Sequence, residues 1–478
     1  MVVINEELIK FKSQILTINN SLSTAKHDKF LLDSERVAFD LKHRATILFN
    51  MSKYYAAVDR GRARYISLQL ARKRAANIKR EALLNLDTYL LQFEKTFTEN
   101  GGIVLWAKDT KEAMAYVSDI LKKNNAKVVV KSKSMTTEEI HFNEILEEQG
   151  IESVETDLGE YIVQLAGEKP YHIVTPAMHK SKKDVAILFN EKFGMSLEST
   201  PEEMTALARK NLRNKYLTAE VGITGANFIV ADIGAFAVTE NEGNALMSTS
   251  FPKIHIAIAG IEKVIPSVKH LSLMWPHLAL NGTGQAISVY NTLFSGPKRA
   301  NDTDGPEQQY IILLDNGRTD LYAKPYQNQA LSCIRCGACL NACPIYKNVG
   351  GYTYETTYQG PIGTVITPHL KGLKEHKHLT SACSLCGNCS EVCPVKIPLH
   401  NLILNMRSIM VENNYAPLGE RIAMKSFASI MSKSSRMDFV HGRIKNAFMK
   451  MFGASLWGKH RDLPTFSQNS FRQQWKKK

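Results

Sequence analysis

All eight cysteines of this 478-residue chain fall in two copies of one short pattern. Cys333, Cys336, Cys339 and Cys343 precede Pro344, and Cys383, Cys386, Cys389 and Cys393 precede Pro394. Each copy reads C-x2-C-x2-C-x3-C-P. Three thiolates packed this closely can wrap one cube of iron and sulfide, while the fourth, held by proline, reaches the other cube. The spacing therefore predicts two 4Fe–4S clusters with crossed ligands. Cys333, Cys336, Cys339 and Cys393 would hold the first, and Cys383, Cys386, Cys389 and Cys343 the second. Adjacent cubes predict one-electron transfer, with structural bracing as the plainer alternative. Structural zinc usually pairs two CxxC units at a distance, whereas here three cysteines crowd together twice. Disulfides suit small secreted scaffolds, not a chain of this length.

Outside the cysteines the candidates are less specific. Glu240, Asn241 and Glu242 follow an apolar run and precede Gly243, where a carboxylate could act as nucleophile or base; a charged turn is the plainer reading. His179 could serve as base or ligand near neutral pH, or as a hydrogen-bonding structural residue. Lys131 and Lys133 flank Ser132 just past an expected strand, the end of an open sheet where ligands bind, so they could hold a carboxylate or phosphate. Asp157, Glu160 and Glu262 are weaker candidates of the same kind. No two-electron cofactor site is legible. Gly282-Thr283-Gly284 lacks the third glycine of a dinucleotide loop, with Ile287 in its place, and reads as a tight turn. Gly337 and Gly387 stand where a haem attachment motif needs histidine.

These residues need elements to position them. With 44% hydrophobic residues the chain reads as globular. No apolar run is long enough to span a bilayer. Glu6, Glu7 and Lys10 interrupt any signal-peptide stretch, so a reducing cytoplasm is the expected compartment. Residues 1–98 are expected to form an amino-terminal helical region, patternless over 1–36 and helical from about Glu35, with Gly101-Gly102 as the stop. Over 99–320 strands alternate with helices. Short strands are expected at 103–107, 127–130, 153–157, 162–165, 171–174, 226–230, 235–239, 253–258, 264–265 and 310–314. Helices are expected at 111–123, 139–149, 182–193 and 201–216, the last capped by Thr200. That alternation predicts an α/β domain with a largely parallel sheet. A linker over 321–329 leads to a mainly helical, ferredoxin-type two-cluster module over 330–405. The net charge is +14, and from Asn401 onward fourteen Lys or Arg face four Asp or Glu. The basic region 406–478 repeats apolar residues at helical spacing, among them Ile422, Phe427, Ile430, Phe439 and Ile444. It reads either as a solvated tail or as a surface for an acidic partner or an anionic, peripheral membrane site. No nucleic-acid-binding module accompanies it.

Several strings in the α/β region are distinctive. They are Lys131-Ser132-Lys133-Ser134-Met135, Glu155-Thr156-Asp157-Leu158-Gly159-Glu160, Pro176-Ala177-Met178-His179 and Gly225-Ala226-Asn227-Phe228. Thr239-Glu240-Asn241-Glu242-Gly243-Asn244 and Ala259-Gly260-Ile261-Glu262-Lys263 complete the set. Together with the cysteine motifs they resemble the lactate utilization protein B family across roughly 35–410. The resemblance implies a LUD domain, similar to the sugar-isomerase and CoA-transferase type of α/β fold, followed by the dicluster module. It implies a cytoplasmic electron-transfer component of an L-lactate-oxidising system, rather than a complete enzyme. It also implies two partners, a cysteine-rich iron–sulfur protein and a smaller LUD protein. Residues 239–243 loosely resemble the Ser-Glu-Asn-Gly stretch of some CoA transferases, with Thr239 for serine and Glu242 inserted before the glycine. Acyl or carboxylate chemistry at Glu240 is therefore one rival expectation, and a redox-sensing scaffold another.

Overall fold

The computed structural model describes residues 25–453 and 461–475. The first residues, on which the expectation about a signal peptide rested, lie outside that range. Helices Leu41–Arg62, Leu68–Leu84 and Leu86–Glu99 precede the first strand. A further helix over 25–38 occupies sequence with no clear period. Buried Phe30 anchors it, its ring meeting Tyr354 and His378, and Lys29 pairs with Glu355.

Ten strands follow in chain order. They are β1 (Ile103–Ala107), β2 (Val128–Lys131), β3 (Glu152–Glu155), β4 (Val221–Gly225), β5 (Phe228–Val230), β6 (Ala235–Glu240), β7 (Ile254–Gly260), β8 (Val264–Ile265), β9 (Tyr290–Phe294) and β10 (Gln308–Leu314). Six form an all-parallel sheet in the order β1-β10-β7-β4-β2-β3. The others form a mixed sheet, β8-β5-β6-β9. Every residue of central β7 is buried, as expected for a parallel strand covered on both faces. Side chains alternate between those faces. Ile256 and Ile258 join Ile312 and Leu314 under the helices Thr110–Lys123 and Phe142–Glu148. Ala257 and Ala259 join Ile311 and Leu313 against Phe93, Phe97 and the second sheet's Ile229 and Phe236.

Helix Asn244–Ser250 lies so close to β4 that a Cβ on Gly222 would strike the Ser248 carbonyl. Helix Pro201–Thr218 begins with the expected cap, a reciprocal box between Thr200 and Glu203.

Some expected strands are replaced. Residues 162–165 end the helix Leu158–Leu165, because the Asp157 carboxylate accepts the Glu160 N–H and starts a helix instead. Residues 171–174 form a loop. The Tyr171 carbonyl accepts from the Tyr346 hydroxyl instead of a strand neighbour, and His172 Nδ1 accepts from Val174 and Thr175 N–H. The helix expected over 139–149 breaks at His141, which sits at φ 55. Helix Leu271–Thr283, which contains Pro276, and strand β9 had no legible period. Gly282-Thr283 closes that helix and left-handed Gly284 caps it.

The cysteine region is helical, with short segments that include Ala338–Ala342, Pro344–Val349, Gly360–Lys371 and Asn388–Val392. Its apolar side chains, among them Leu340, Tyr346 and Ile366, share one core with Ile47, Met51, Phe228 and Met274. Described residues up to Ile409 thus form one compact unit, and those from Met410 form a second. Residues 321–329 are packed, not slack: buried Gln327 donates to the Leu402 carbonyl and to Asn405. In the second unit, Leu418–Met431 and Gly442–Phe448 are helices whose Ile422, Phe427, Ile430, Ile444 and Phe448 are exposed. Among the described residues no helix is long and apolar enough to cross a membrane.

A buried ionic chain ties the sheet to the first cysteine motif. Arg318 donates to Glu139 through both terminal nitrogens, at 2.9 and 2.8 Å, and to Glu262 at 2.5 Å. Glu262 also accepts from Arg335 at 3.2 Å. Removing one partner strands the others in low dielectric. We predict that Arg318→Met lowers unfolding stability by about 3–5 kcal/mol in urea titration; a loss well below about 1 kcal/mol would show that the chain of charges is dispensable. Gly222→Val is predicted to lower stability by about 1–3 kcal/mol, since the strand and helix backbones must separate; an unchanged midpoint would refute the close approach.

Candidate redox centre and the cavity beside it

The two cysteine motifs have matching backbones. Arg335 and Gly337 take positive φ in the first (61° and 77°), and Leu385 and Gly387 do so in the second (56° and 83°). These left-handed residues curl each loop so that amides meet sulfur. Arg335 N–H donates to Cys333 Sγ at 3.4 Å, and Leu385 N–H to Cys383 Sγ at 3.3 Å. Beyond each short helix, Cys343 Sγ accepts from Tyr346 N–H at 3.5 Å and Cys393 Sγ from Ile397 N–H at 3.3 Å. Helices Ala338–Ala342 and Asn388–Val392 pack on one another, which brings the motifs together. Arg72 fastens the second motif, donating to the Cys393 carbonyl at 3.0 and 2.8 Å and to the Glu391 carbonyl at 2.6 Å.

The thiols act on one another. Burial pushes Cys336 up, and the charges of Cys333 and Cys393 push it further. Burial likewise raises Cys339, beside Cys333, Cys336, Cys393 and Cys389. Burial raises Cys393 to about 11, with Cys333 adding to it. Cys343 is raised by burial and then feels Cys383 and Cys386. Burial pushes Cys389 up to about 12, beside Cys383 and Cys343. Thiols so reluctant to ionise become ligands when iron takes the proton's place, and four soft sulfurs per group suit an iron–sulfur cube. The N–H groups aimed at sulfur fit the same purpose. Cys336, Cys339, Cys343, Cys389 and Cys393 are buried, whereas Cys386 is exposed.

A cavity of about 350 Å³ opens at the carboxyl ends of β2, β4 and β6. Its wall includes Lys133, Asp157, Glu242, Lys263, Arg335 and Cys336. The first cysteine motif therefore borders the place where an open α/β sheet binds its ligand. The cationic residues come from three regions, Lys133 after β2, Lys263 after β7 and Arg335 between cysteines. Lys79 donates to the Glu262 carbonyl at 2.6 Å and to the Val264 carbonyl at 3.1 Å. Burial, then repulsion from Arg335, lowers Lys263 to about 8, and burial lowers Lys79 to about 8. Burial opposes ionisation of Glu262, but Arg318 and Arg335 outweigh it and hold the carboxyl near about 2. Four buried cations, Lys79, Lys263, Arg318 and Arg335, thus stand against two buried carboxylates, Glu139 and Glu262.

The structure gathers some sequence candidates here and disperses others. Glu240 borders the cavity, yet its oxygens accept the Ala245 and Leu246 N–H at 2.6 and 2.9 Å, so it caps helix Asn244–Ser250; burial raises its pKa. Glu242 accepts from Leu158 N–H at 3.2 Å, and burial followed by Asp157 raises it. Lys133 borders the cavity and donates to the Val174 carbonyl. Lys131 does not face it. That ammonium is wholly buried at 2.7 Å from Glu155, 3.4 Å from Glu138 and 3.7 Å from Glu160. His179 stands apart from the cavity, 2.7 Å from Glu168 and stacked on Tyr171, and burial lowers its pKa. Sequence reasoning passed over Arg335 and Lys263. A basic residue inside CxxC, and the lysine ending the Ala259–Lys263 string, were the available signals.

Comparison with known proteins agrees with this division. Residues 90–314 match the LUD domain and residues 329–397 the 4Fe-4S dicluster domain. The chain is 43% identical over 416 residues to the "Uncharacterized electron transport protein YkgF" of Escherichia coli strain K12, covering 85% of this chain and 87% of that protein. It is 42% identical over 417 residues to "Lactate utilization protein B" of Bacillus cytotoxicus, covering 85% and 88%. The same figures hold for lactate utilization protein B of Bacillus cereus strain AH820. The α/β core is a LUD domain, the helical module carries two 4Fe–4S clusters, and the chain belongs to the lactate utilization protein B family.

Proposed function

We propose that the chain is the iron–sulfur electron-transfer subunit of a system that oxidises L-lactate to pyruvate. We assign Cys333, Cys336, Cys339 and Cys393 to the cluster nearer the sheet, and Cys383, Cys386, Cys389 and Cys343 to the outer one. One observation carries the reading: Cys336 lines the cavity at the strand ends, while Cys386 of the other group is exposed. Electrons can enter at one end of the cysteine module and leave at the other. The relatives named for lactate utilization and for electron transport favour the same direction of thought.

Oxidation of CH₃CH(OH)COO⁻ to CH₃COCOO⁻ releases two electrons and two protons. Bound clusters supply two one-electron acceptors. The chain's own residues do the rest of its work. The buried cations keep negative charge tolerable beside Cys333, which Lys79, Lys263 and Arg335 all sense. The cavity holds the donor against Cys336. The reading includes the two partners, a cysteine-rich iron–sulfur protein and a smaller LUD protein, which begin the oxidation and take up the electrons. Acyl chemistry at Glu240 would need a carboxylate oxygen free to attack, and both of its oxygens accept backbone N–H groups.

The test is electron paramagnetic resonance on the anaerobically purified chain with its partners. Adding L-lactate is expected to produce reduced-cluster signals. Cys336→Ala is expected to lose about half the iron, one cube of two, and to abolish growth on lactate. Clusters that stay oxidised under lactate, or normal lactate growth of the Cys336→Ala strain, would overturn the proposal.

A further inference from the structure

The cavity contains a cation whose hydrogen bonds are incomplete. The Arg335 side chain is only 8% exposed. Its Nη2 reaches Glu262, and its plane lies 4.3 Å from the centre of the Tyr358 ring. Its Nε and Nη1 are buried without a hydrogen-bond partner. A guanidinium offers its donors in one plane, with Nε–H and Nη1–H on opposite sides of it, so each idle nitrogen is a place for one anionic oxygen. Buried polar groups are rarely left this way unless something else completes them.

Lys263 strengthens the case. It is buried in the wall of the same cavity, and neighbouring Glu262 is committed to Arg318 and Arg335. Two cations therefore share one wall with charge to spare. Asp157, Glu240 and Glu242 border the same space. That acidic border disfavours a second negative charge on the ligand, which argues against phosphates and dicarboxylates. A volume of about 350 Å³ admits a small organic acid.

We infer that Arg335 and Lys263 form the carboxylate subsite of this cavity, for a small 2-hydroxy or 2-oxo monocarboxylate held beside Cys336. The inference deepens the lactate-oxidation reading and rests on it for the choice of acid. The carboxylate takes one charge-assisted bond from an idle Arg335 donor and another from the Lys263 ammonium. The 2-substituent then lies within a cavity that also offers the acceptors of Asp157 and Glu242.

The test is calorimetric titration of the cluster-replete full chain, kept anaerobic, with pyruvate, L-lactate and inorganic phosphate. Pyruvate and lactate are expected to bind and phosphate not to compete. Arg335→Lys and Lys263→Met are each expected to weaken pyruvate binding about tenfold or more, the loss of a charge-assisted contact. Lys371→Met, on a different cavity, should leave it unchanged. Gly282→Leu keeps the result decisive if either charge variant loses iron. A Cβ there meets only the Cys336 carbonyl, at 3.7 Å, so the leucine fills the cavity without removing a charge, and it is expected to abolish binding. Absence of pyruvate binding to the wild-type chain, unchanged affinity in both Lys263→Met and Gly282→Leu, or equal competition by phosphate would each overturn the subsite. If lactate reduces the clusters of the assembled system while the chain binds no acid, the subsite fails and the electron-transfer reading stands. If pyruvate binds as expected but lactate never reduces the clusters, the subsite stands and the electron-transfer reading fails.

Discussion

Glu262 sits between two arginines that come from different parts of the fold. It follows the end of the central strand, and it accepts from Arg318 at 2.5 Å and from Arg335 at 3.2 Å. Arg335 belongs to the first cysteine loop, so this carboxylate fixes that loop against the end of the sheet. Buried pairs of this kind are weak evidence for stability, because desolvation consumes much of the attraction. Their clearer effect is positional. A loop held by a stacked, ion-paired guanidinium cannot drift from the strand ends, and Cys336 therefore stays in the cavity wall.

The same residues set the electrostatics. A low-dielectric interior magnifies every charge it holds. Lys79 and Lys263 are buried beside Cys333, and burial works against both remaining charged. Their cost is offset by the negative charge that four thiolates and an added electron bring to the neighbourhood. The cations and the cysteines thus explain one another: neither set is well placed alone. Cys386 is exposed while Cys336 and Cys339 are buried, so the module has a sheltered side and an accessible one. Arg72 and Arg407 fasten the chain around the second motif through main-chain carbonyls, including those of Cys393 and Cys383.

The chemistry of the cysteines was legible because it is local: spacing within eleven residues specifies the loop, and the structure gives both loops the same left-handed positions. The parallel sheet was legible in part for a similar reason, since β1, β7 and β10 are short apolar runs that sequence picks out, whereas β4, broken by Gly222 and Gly225, was not expected. Reading failed where distant partners decide. Residues 171–174 look like a strand, but the Tyr171 carbonyl is taken by Tyr346 and His172 Nδ1 by the loop's own amides. Lys131 looks like a ligand-binding residue at a strand end, yet three glutamates drawn from 138 to 160 surround it. Arg335, Lys263 and Arg318 acquire meaning only when residues separated by more than fifty positions meet. No period or spacing records that meeting.

The most direct test of the account is the distance between a ligand in the cavity and the inner cluster. Electron–nuclear double resonance on the reduced full chain, frozen with ¹³C-carboxylate pyruvate, reads it. The account predicts a resolved ¹³C coupling to one cluster, lost when Cys393→Ser disrupts the inner group and retained when Cys386→Ser disrupts the outer one. A chain that binds pyruvate without any ¹³C coupling, or whose coupling survives Cys393→Ser and vanishes with Cys386→Ser, would contradict it.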